Sequence, residues 1–256
     1  MPPQVVVALT TPFRPDGAVD ADALARHVAM LVEAGVDAVM PCGTTGEGPL
    51  LEADEIVAVV SSTVEATEGS ARVLAHVGRA STDETIALAG GAIAAGAAGV
   101  SAVVPYYYAL SDGQIVAHYG RLLASVDGTP VYAYTIPARD GNELSAGAVS
   151  ALADSGLRGV KDSTKSWARH VEYLGTGVEV LIGTDALVVD SFRAGSAGCV
   201  SALANVRPDL LCRVREGEDV QDEISALRER LPFPRLKDAV AERVPGYPTG
   251  YRAPLG

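Results

Sequence analysis

Short runs of β-branched and aliphatic residues recur along the chain, each followed by a turn signal and then by apolar positions at helical spacing. Eight such runs predict strands: Gln4 to Leu9, Val36 to Cys42, Arg72 to Val77, Val100 to Val104, Pro130 to Thr135, Leu157 to Lys161, Val178 to Ile182 and Gly198 to Leu203. Their near-continuous apolar character implies burial on both faces, as in a parallel sheet covered by helices. Between them, Leu24, Val28, Leu31 and Val32 form one helix face that stops at Gly35, and Ser81 with Glu84 reads as a capping box. Eight alternating units predict an α/β fold closed as a (β/α)8 TIM barrel. An open doubly wound sheet is the alternative, but Thr10-Thr11-Pro12-Phe13 follows the first strand where a dinucleotide fold would carry GxGxxG.

The barrel is expected to occupy residues 1–206, through strand eight. Residues 207–256 then read as the last barrel helix plus a short C-terminal helical region, with amphipathic segments around Asp222 to Leu231 and Phe233 to Val244 and a Pro/Gly-rich tail. Ile86 to Leu110 carries no charge and is long enough to cross a bilayer, but five Gly and Pro residues dilute it and its apolar content is mostly Ala. It is expected to be helix, turn and strand.

At 256 residues with 48% apolar and 20% charged, one large core is the default. The net charge of −12 repels phosphate backbones and anionic headgroups, and no basic run offsets it, so neither nucleic acid nor a membrane is an expected partner. The same field opposes small anions, so an acidic substrate needs a locally positive pocket, which makes the three lysines, Lys161, Lys165 and Lys237, informative. Cys42, Cys199 and Cys212 form no CxxC and read as reduced thiols of a cytoplasmic protein. Arg14 is the first basic residue, so Val5-Val6-Val7 lacks the charged flank of a signal peptide. His27, His76, His118 and His170 are scattered without HExxH or HxH spacing, and no Gly-x-Ser-x-Gly elbow occurs, so no metal and no serine nucleophile is expected.

In a barrel the chemistry sits where strands end. Lys161 closes an apolar strand and shares a face with Leu157, Gly159 and Ser163, so Gly159 is expected to leave room for its stem. Amine catalysis needs neutral nitrogen, and an ordinary lysine at pKa ~10.4 is neutral in only about one molecule in a few thousand at pH 7, so burial must supply the difference. A rim lysine paired with Asp162 is the competing reading, and strand position alone does not separate the two. Tyr134 ends the preceding strand within reach of Lys161, and Thr45 offers a hydroxyl that can donate and accept; a solvated rim tyrosine is the plainer alternative. The turn Gly43 to Gly46 presents backbone amides suited to a carboxylate, or is only a tight turn. Arg139 can hold a carboxylate bidentately, or is a surface arginine before Asp140-Gly141.

Taken in order, Ala8-Leu9-Thr10-Thr11-Pro12-Phe13, Gly35-Val36-Asp37, Gly43-Thr44-Thr45-Gly46-Glu47, Pro105-Tyr106-Tyr107, Tyr134-Thr135-Ile136-Pro137-Ala138-Arg139, Gly159-Val160-Lys161-Asp162 and Gly198-Cys199-Val200-Ser201 resemble the dihydrodipicolinate synthase and N-acetylneuraminate lyase superfamily over about the first four fifths of the chain. The resemblance implies that Lys161 forms an imine with pyruvate, with no other cofactor. Thr44, Thr45 and the loop amides would bind the pyruvate carboxylate, and Val200 and Gly183 would line its pocket. Tyr134 and Thr45 would relay protons, together with Tyr107 of a neighbouring subunit in a homodimer or homotetramer. Arg139 matches the position that holds the carboxylate of aspartate semialdehyde, which favours a small aldehyde acceptor and 4-hydroxytetrahydrodipicolinate as product. Another aldehyde or a 2-keto-3-deoxy sugar acid is the second reading, and a shortened, non-catalytic scaffold is the third. The chain departs from the pattern at Thr135, where Asn is usual, at Tyr108-Ala109, at Thr184, where an acid is common, and in its short C-terminal region.

Overall fold

All eight predicted runs contain a strand in the structure, a computed structural model that describes residues 2–232 and 234–256. The strands are β1 (Gln4–Ala8), β2 (Ala38–Met40), β3 (Arg72–His76), β4 (Gly99–Val103), β5 (Val131–Thr135), β6 (Gly159–Asp162), β7 (Glu179–Ile182) and β8 (Gly198–Ser201). Every neighbouring pair is parallel, and β8 closes on β1 to make the barrel. Most observed strands are shorter than the apolar runs; β4 starts one residue earlier than its run, and β6 ends one residue later. The run from Val36 to Cys42 narrows to β2 because Pro41 has no amide to give the ladder and Cys42 takes φ 62°.

Helices follow the strands in order: α1 (Ala21–Glu33), α2 (Ala53–Thr67), α3 (Thr82–Ala94), α4 (Asp112–Ser125), the short α5 (Pro137–Asp140) with α6 (Ala146–Ala153), α7 (Trp167–Leu174), α8 (Val188–Arg193) and α9 (Pro208–Arg215), then α10 (Gln221–Arg230) and α11 (Leu236–Ala241). In α1, Asp20 caps the Ala23 amide, Leu24, Val28 and Leu31 are buried, and the chain leaves through Gly35 at φ +79°. A side chain there would be strained. At α3 only half of the expected capping box forms, with the Ser81 hydroxyl accepting from the Glu84 amide. Reciprocal boxes occur instead at Glu52 with Glu55 and at Ser111 with Gln114. The charge-free stretch from Ile86 resolves into the end of α3, a turn at Gly96 and β4, and no helix of the described residues is long and apolar enough to cross a membrane.

The apolar interior has two layers. Val6, Ala8, Ala38, Met40, Leu74, Tyr132, Leu181 and Val200 fill the barrel, while a larger cluster lies between the sheet and the helices. The expectation for Gly159 needs correction. A Cβ there would stand 2.8 Å from the Tyr132 ring and 2.6 Å from the Glu179 carbonyl, so glycine makes room for Tyr132 rather than for the lysine stem.

The C-terminal segment turns back onto the catalytic end of the barrel. Lys237, fully buried on α11, donates to Glu47 Oε1 at 2.5 Å and to the Gly250 carbonyl at 2.8 Å, and lies 4.4 Å from the ring centres of Phe13 and Tyr251. The Arg252 amide donates to Glu47 Oε2 at 2.9 Å, and its guanidinium reaches Glu55 and the carbonyls of Leu50 and Gly17. The tail therefore clamps the loop after β2. The amphipathic segment expected from Phe233 begins on a residue outside the described ones, and the helix within it is α11.

Candidate active site

Strand alternation on β6 sends Lys161 into the barrel mouth and Asp162 outward to the helix layer. Asp162 is consumed there: its Oδ2 meets His170 Nδ1 at 2.8 Å, and its Oδ1 accepts from the Thr164 amide at 2.9 Å and hydroxyl at 2.7 Å. The rim ion pair with Asp162 fails on direction. Lys161 is 4% exposed, with Nζ 3.9 Å from the Tyr134 ring centre and 4.0 Å from Met40 Sδ, and it forms no ion pair among the described residues. An aromatic face and a thioether are its nearest company.

Tyr134 stands beside Lys161 in the β5–β6 register. Its hydroxyl meets Thr44 Oγ1 at 3.3 Å, either atom donating. The residue paired with Tyr134 from the sequence was Thr45, and in the structure the hydrogen bond to Tyr134 is made by Thr44. Thr45 lines the same cavity without bonding to Tyr134. Strand register sets the direction of Tyr134, but it cannot tell which of two successive turn residues faces it.

The loop after β2 folds on itself. Amides of Gly46 and Gly48 donate to the Gly43 carbonyl at 3.1 and 3.0 Å, and that of Glu47 to Thr44 at 3.3 Å, so the amides of Thr44 and Thr45 are the ones left for a ligand. A Cβ on Gly46 would lie 2.7 Å from the Leu9 carbonyl, and one on Gly48 1.7 Å from the Cys42 carbonyl, so both positions need glycine. A 3-10 turn, Gly48–Leu50, separates this loop from α2. Its donors are therefore turn amides rather than those of a helix N-terminus.

The cavity above Lys161 has a volume of about 560 Å3. Of the residues singled out from sequence, Thr44, Thr45, Tyr134, Arg139, Lys161, Gly183 and Val200 all line it. A Cβ on Gly183 would lie 2.2 Å from Ser163 Oγ and 3.0 Å from the Asp162 carbonyl, so a side chain there would displace Ser163. Tyr107 does not join them. It is 85% exposed at φ 81°, with its ring edge-on to Tyr108 at 5.0 Å.

Further side chains complete the wall. Asp185 accepts from the Ser201 hydroxyl at 2.6 Å and has Arg228 at 4.0 Å; burial pushes its carboxyl above the usual range, against the pull of Ser201, Arg228 and Lys161. Lys165, at φ 61°, and Arg228, on α10, complete the far side. Arg228 lies in a helix beyond the eighth strand, where no strand-end rule points. A second cavity, about 320 Å3, adjoins the first through Thr44, Ile136 and Arg139 and contains His76. Both ring nitrogens of His76 lack hydrogen-bond partners, its ring stands edge-on to Tyr134 at 5.8 Å, and its pKa is pushed down to about 3, chiefly by burial with Lys161 and Arg79 adding to it.

A family model for the dihydrodipicolinate synthetase family matches residues 1–231. An uncharacterized DapA-like lyase of Halobacterium salinarum is 41% identical over 259 residues, covering 98% of this chain and 83% of the relative. A 4-hydroxy-tetrahydrodipicolinate synthase of Pelodictyon phaeoclathratiforme is 35% identical over 235 residues, covering 90% and 79%. Among solved structures, dihydrodipicolinate synthase from Aquifex aeolicus has a TM-score of 0.90 at 30% identity, covering 100% of this chain and 92% of that one. YagE, a prophage protein of the same family from E. coli K12 in complex with pyruvate, has a TM-score of 0.92 at 27% identity, covering 99% and 92%.

Proposed function

The chain belongs to the dihydrodipicolinate synthetase family and is a lyase of the class I aldolase type, and we propose that it joins pyruvate to an aldehyde, or runs the reverse cleavage, through an imine on Lys161. The observation that carries this reading is the isolation of Lys161: a buried amine with no ion pair among the described residues, over the Tyr134 ring and in one cavity with Thr44 and Thr45. An amine held in that place stands where it can add to a carbonyl bound in the cavity. The chemistry asks for no metal and no further cofactor.

In the proposed sequence the backbone amides of Thr44 and Thr45 donate to the pyruvate carboxylate, and Nζ of Lys161 adds to the keto carbon. Tyr134, hydrogen-bonded to Thr44, passes protons so that the keto oxygen leaves as water and a C–N double bond forms. Loss of a methyl proton makes the enamine, whose terminal carbon bonds to the aldehyde carbon while the aldehyde oxygen takes up a proton. Water then adds to the new imine, frees the amine and releases a 4-hydroxy-2-oxo acid. Gly183 and Val200 shape the pyruvate end.

Tyr107 enters this scheme from a second copy. It points away from its own cavity and into solvent, which supports a homodimer or homotetramer in which the partner subunit's Tyr107 extends the relay toward Thr44. Free, buried Cys42, Cys199 and Cys212 fit a reducing cytoplasm.

Two acceptors suit the cavity. Aspartate semialdehyde, giving 4-hydroxytetrahydrodipicolinate, is supported by Arg139 at the rim. A hydroxylated aldehyde, from a 2-keto-3-deoxy sugar acid in the cleavage direction, is supported by the polar far wall of Ser163, Thr184 and Asp185. Borohydride reduction with pyruvate, followed by peptide mass spectrometry, is expected to leave a reduced pyruvyl adduct on Lys161. An unmodified Lys161 at saturating pyruvate would refute the mechanism and favour a non-catalytic scaffold. Arg139→Ala should penalise carboxylated acceptors by roughly 2 kcal/mol, the scale of a charge-assisted bidentate contact.

A further inference from the structure

The chain carries a net charge of −12, yet the cavity over Lys161 is lined by three further cations, Arg139, Lys165 and Arg228, against one carboxylate, Asp185. Of the three lysines in the sequence, two stand in this cavity and the third is bonded to Glu47. A chain that is acidic elsewhere has collected positive charge here, which draws in anions and concentrates them at the mouth.

Position on the wall divides these groups. Arg139 lies on α5 beside Thr44 and Ile136, on the side shared with the second cavity. Lys165 and Arg228 line only the first cavity. Lys165 sits in the left-handed turn after β6. Arg228 is drawn toward the barrel by Asp185, whose Oδ2 lies 4.0 Å from its Nη1 while Oδ1 is engaged by Ser201. Ser163, Thr184 and the Asp185 carboxyl line the same cavity, groups that exchange hydrogen bonds with hydroxyls. Pyruvate alone leaves most of about 560 Å3 unfilled.

We infer that Lys165 and Arg228 form a second anion subsite for the far end of the acceptor, so that the acceptor is a hydroxyaldehyde ending in a carboxylate or phosphate rather than an amino-acid aldehyde. The inference rests on the Schiff-base reading for the pyruvate end and deepens it. Aspartate semialdehyde would bring an ammonium group into a cavity with three further cations, a like-charge contact that binding must overcome. A terminal anion meets two donors with complementary charge, one of them a planar guanidinium fitted to carboxylate and phosphate oxygens.

The test uses equilibrium binding, which does not depend on turnover. Calorimetric titration of the full-length protein with glycerol 3-phosphate, glycerate and neutral glycerol, with and without pyruvate, compares wild type with Arg228→Gln, Lys165→Gln and the double variant. Wild type is expected to bind at least one of the two anions roughly ten-fold or more tightly than glycerol, and the double variant to lose that advantage. Lys165→Gln, at an exposed position, keeps the question answerable should Arg228→Gln fold poorly, and is expected to weaken the anion several-fold by itself. The two anions separate a phosphate terminus from a carboxylate. Equal binding of anion and glycerol by wild type, or an anion preference unchanged in the double variant, would overturn the subsite. Borohydride trapping of pyruvate on wild-type Lys161, run alongside, reports on the Schiff base separately.

Discussion

Replacing Lys237 with Met tests what holds the loop of Thr44 and Thr45 in place. Lys237 and Glu47 are both fully or almost fully buried and meet at 2.5 Å, and Glu47 takes φ 57° at the end of that loop. Methionine keeps the stem packed against Phe13 and Tyr251 and removes the charge together with the hydrogen bond to the Gly250 carbonyl, so the loss is polar rather than a cavity. Breaking a buried pair by removing one partner costs about 3–5 kcal/mol. A stranded carboxylate can escape by taking up a proton, and neutralising an ordinary carboxyl of pKa ~4.3 takes about 3.7 kcal/mol at pH 7 and about 1 kcal/mol at pH 5. That escape caps the penalty, so Lys237→Met is expected to lose about 3–4 kcal/mol at pH 7 and about 1 kcal/mol at pH 5. For a chain of this size the loss at pH 7 lowers Tm by roughly 6–16 °C. Urea and thermal unfolding at both pH values read the stability, and borohydride trapping at Lys161 reads the loop. Glu47→Gln with Lys237→Met leaves no buried charge and should recover more than half of the loss. A loss under about 1 kcal/mol at pH 7, or one equal at both pH values, would refute the reasoning.

Thr44→Val strips the Tyr134 hydroxyl of its partner and is expected to slow imine formation by about ten-fold, more than Thr45→Val does; rapid-quench trapping with borohydride compares them, and the reverse order would return the relay to Thr45. Gly183→Ala puts a methyl 2.2 Å from Ser163 Oγ, so Ser163 must shift at the pyruvate end; an increase in pyruvate KM with little change in Tm is expected, and unchanged KM would count against that placement. Burial pushes the histidine pKa values down from 6.5 to about 4 at His27 and His118 and about 3 at His76. The unfolded chain therefore binds protons that the native state refuses, so this stability is complete above about pH 6.5 and is lost as pH falls toward 4. Asp140 and Asp185, whose pKa values burial raises, offset part of it near the acid end. Net uptake of roughly two to three protons on unfolding at pH 5 is expected, and none would contradict the assignment.

Much of the fold was legible because a parallel barrel writes itself as a period. Each strand is buried on both faces, each helix on one, and the runs around Val5, Val73 and Val160 show it without any knowledge of partners. Strand ends then point to Lys161 and Tyr134, since alternation fixes which side of the sheet a residue faces. Turns have no such period. Whether Thr44 or Thr45 meets Tyr134 depends on how Gly43 to Gly48 folds on itself, and whether Gly159 spares room for a lysine or a tyrosine depends on a ring from the neighbouring strand.

The sequence by itself determined the eight-fold repeat and the family, and it placed Lys161 at a strand end, because each rests on local order and strand direction. Only the tertiary structure decided that Asp162 pairs with His170, that Lys237 locks Glu47, and that Arg228 comes back from α10 to face Asp185. Those contacts join residues that alternation, composition and motif spacing cannot relate, since the distance between them is set by how helices and tail close over the barrel.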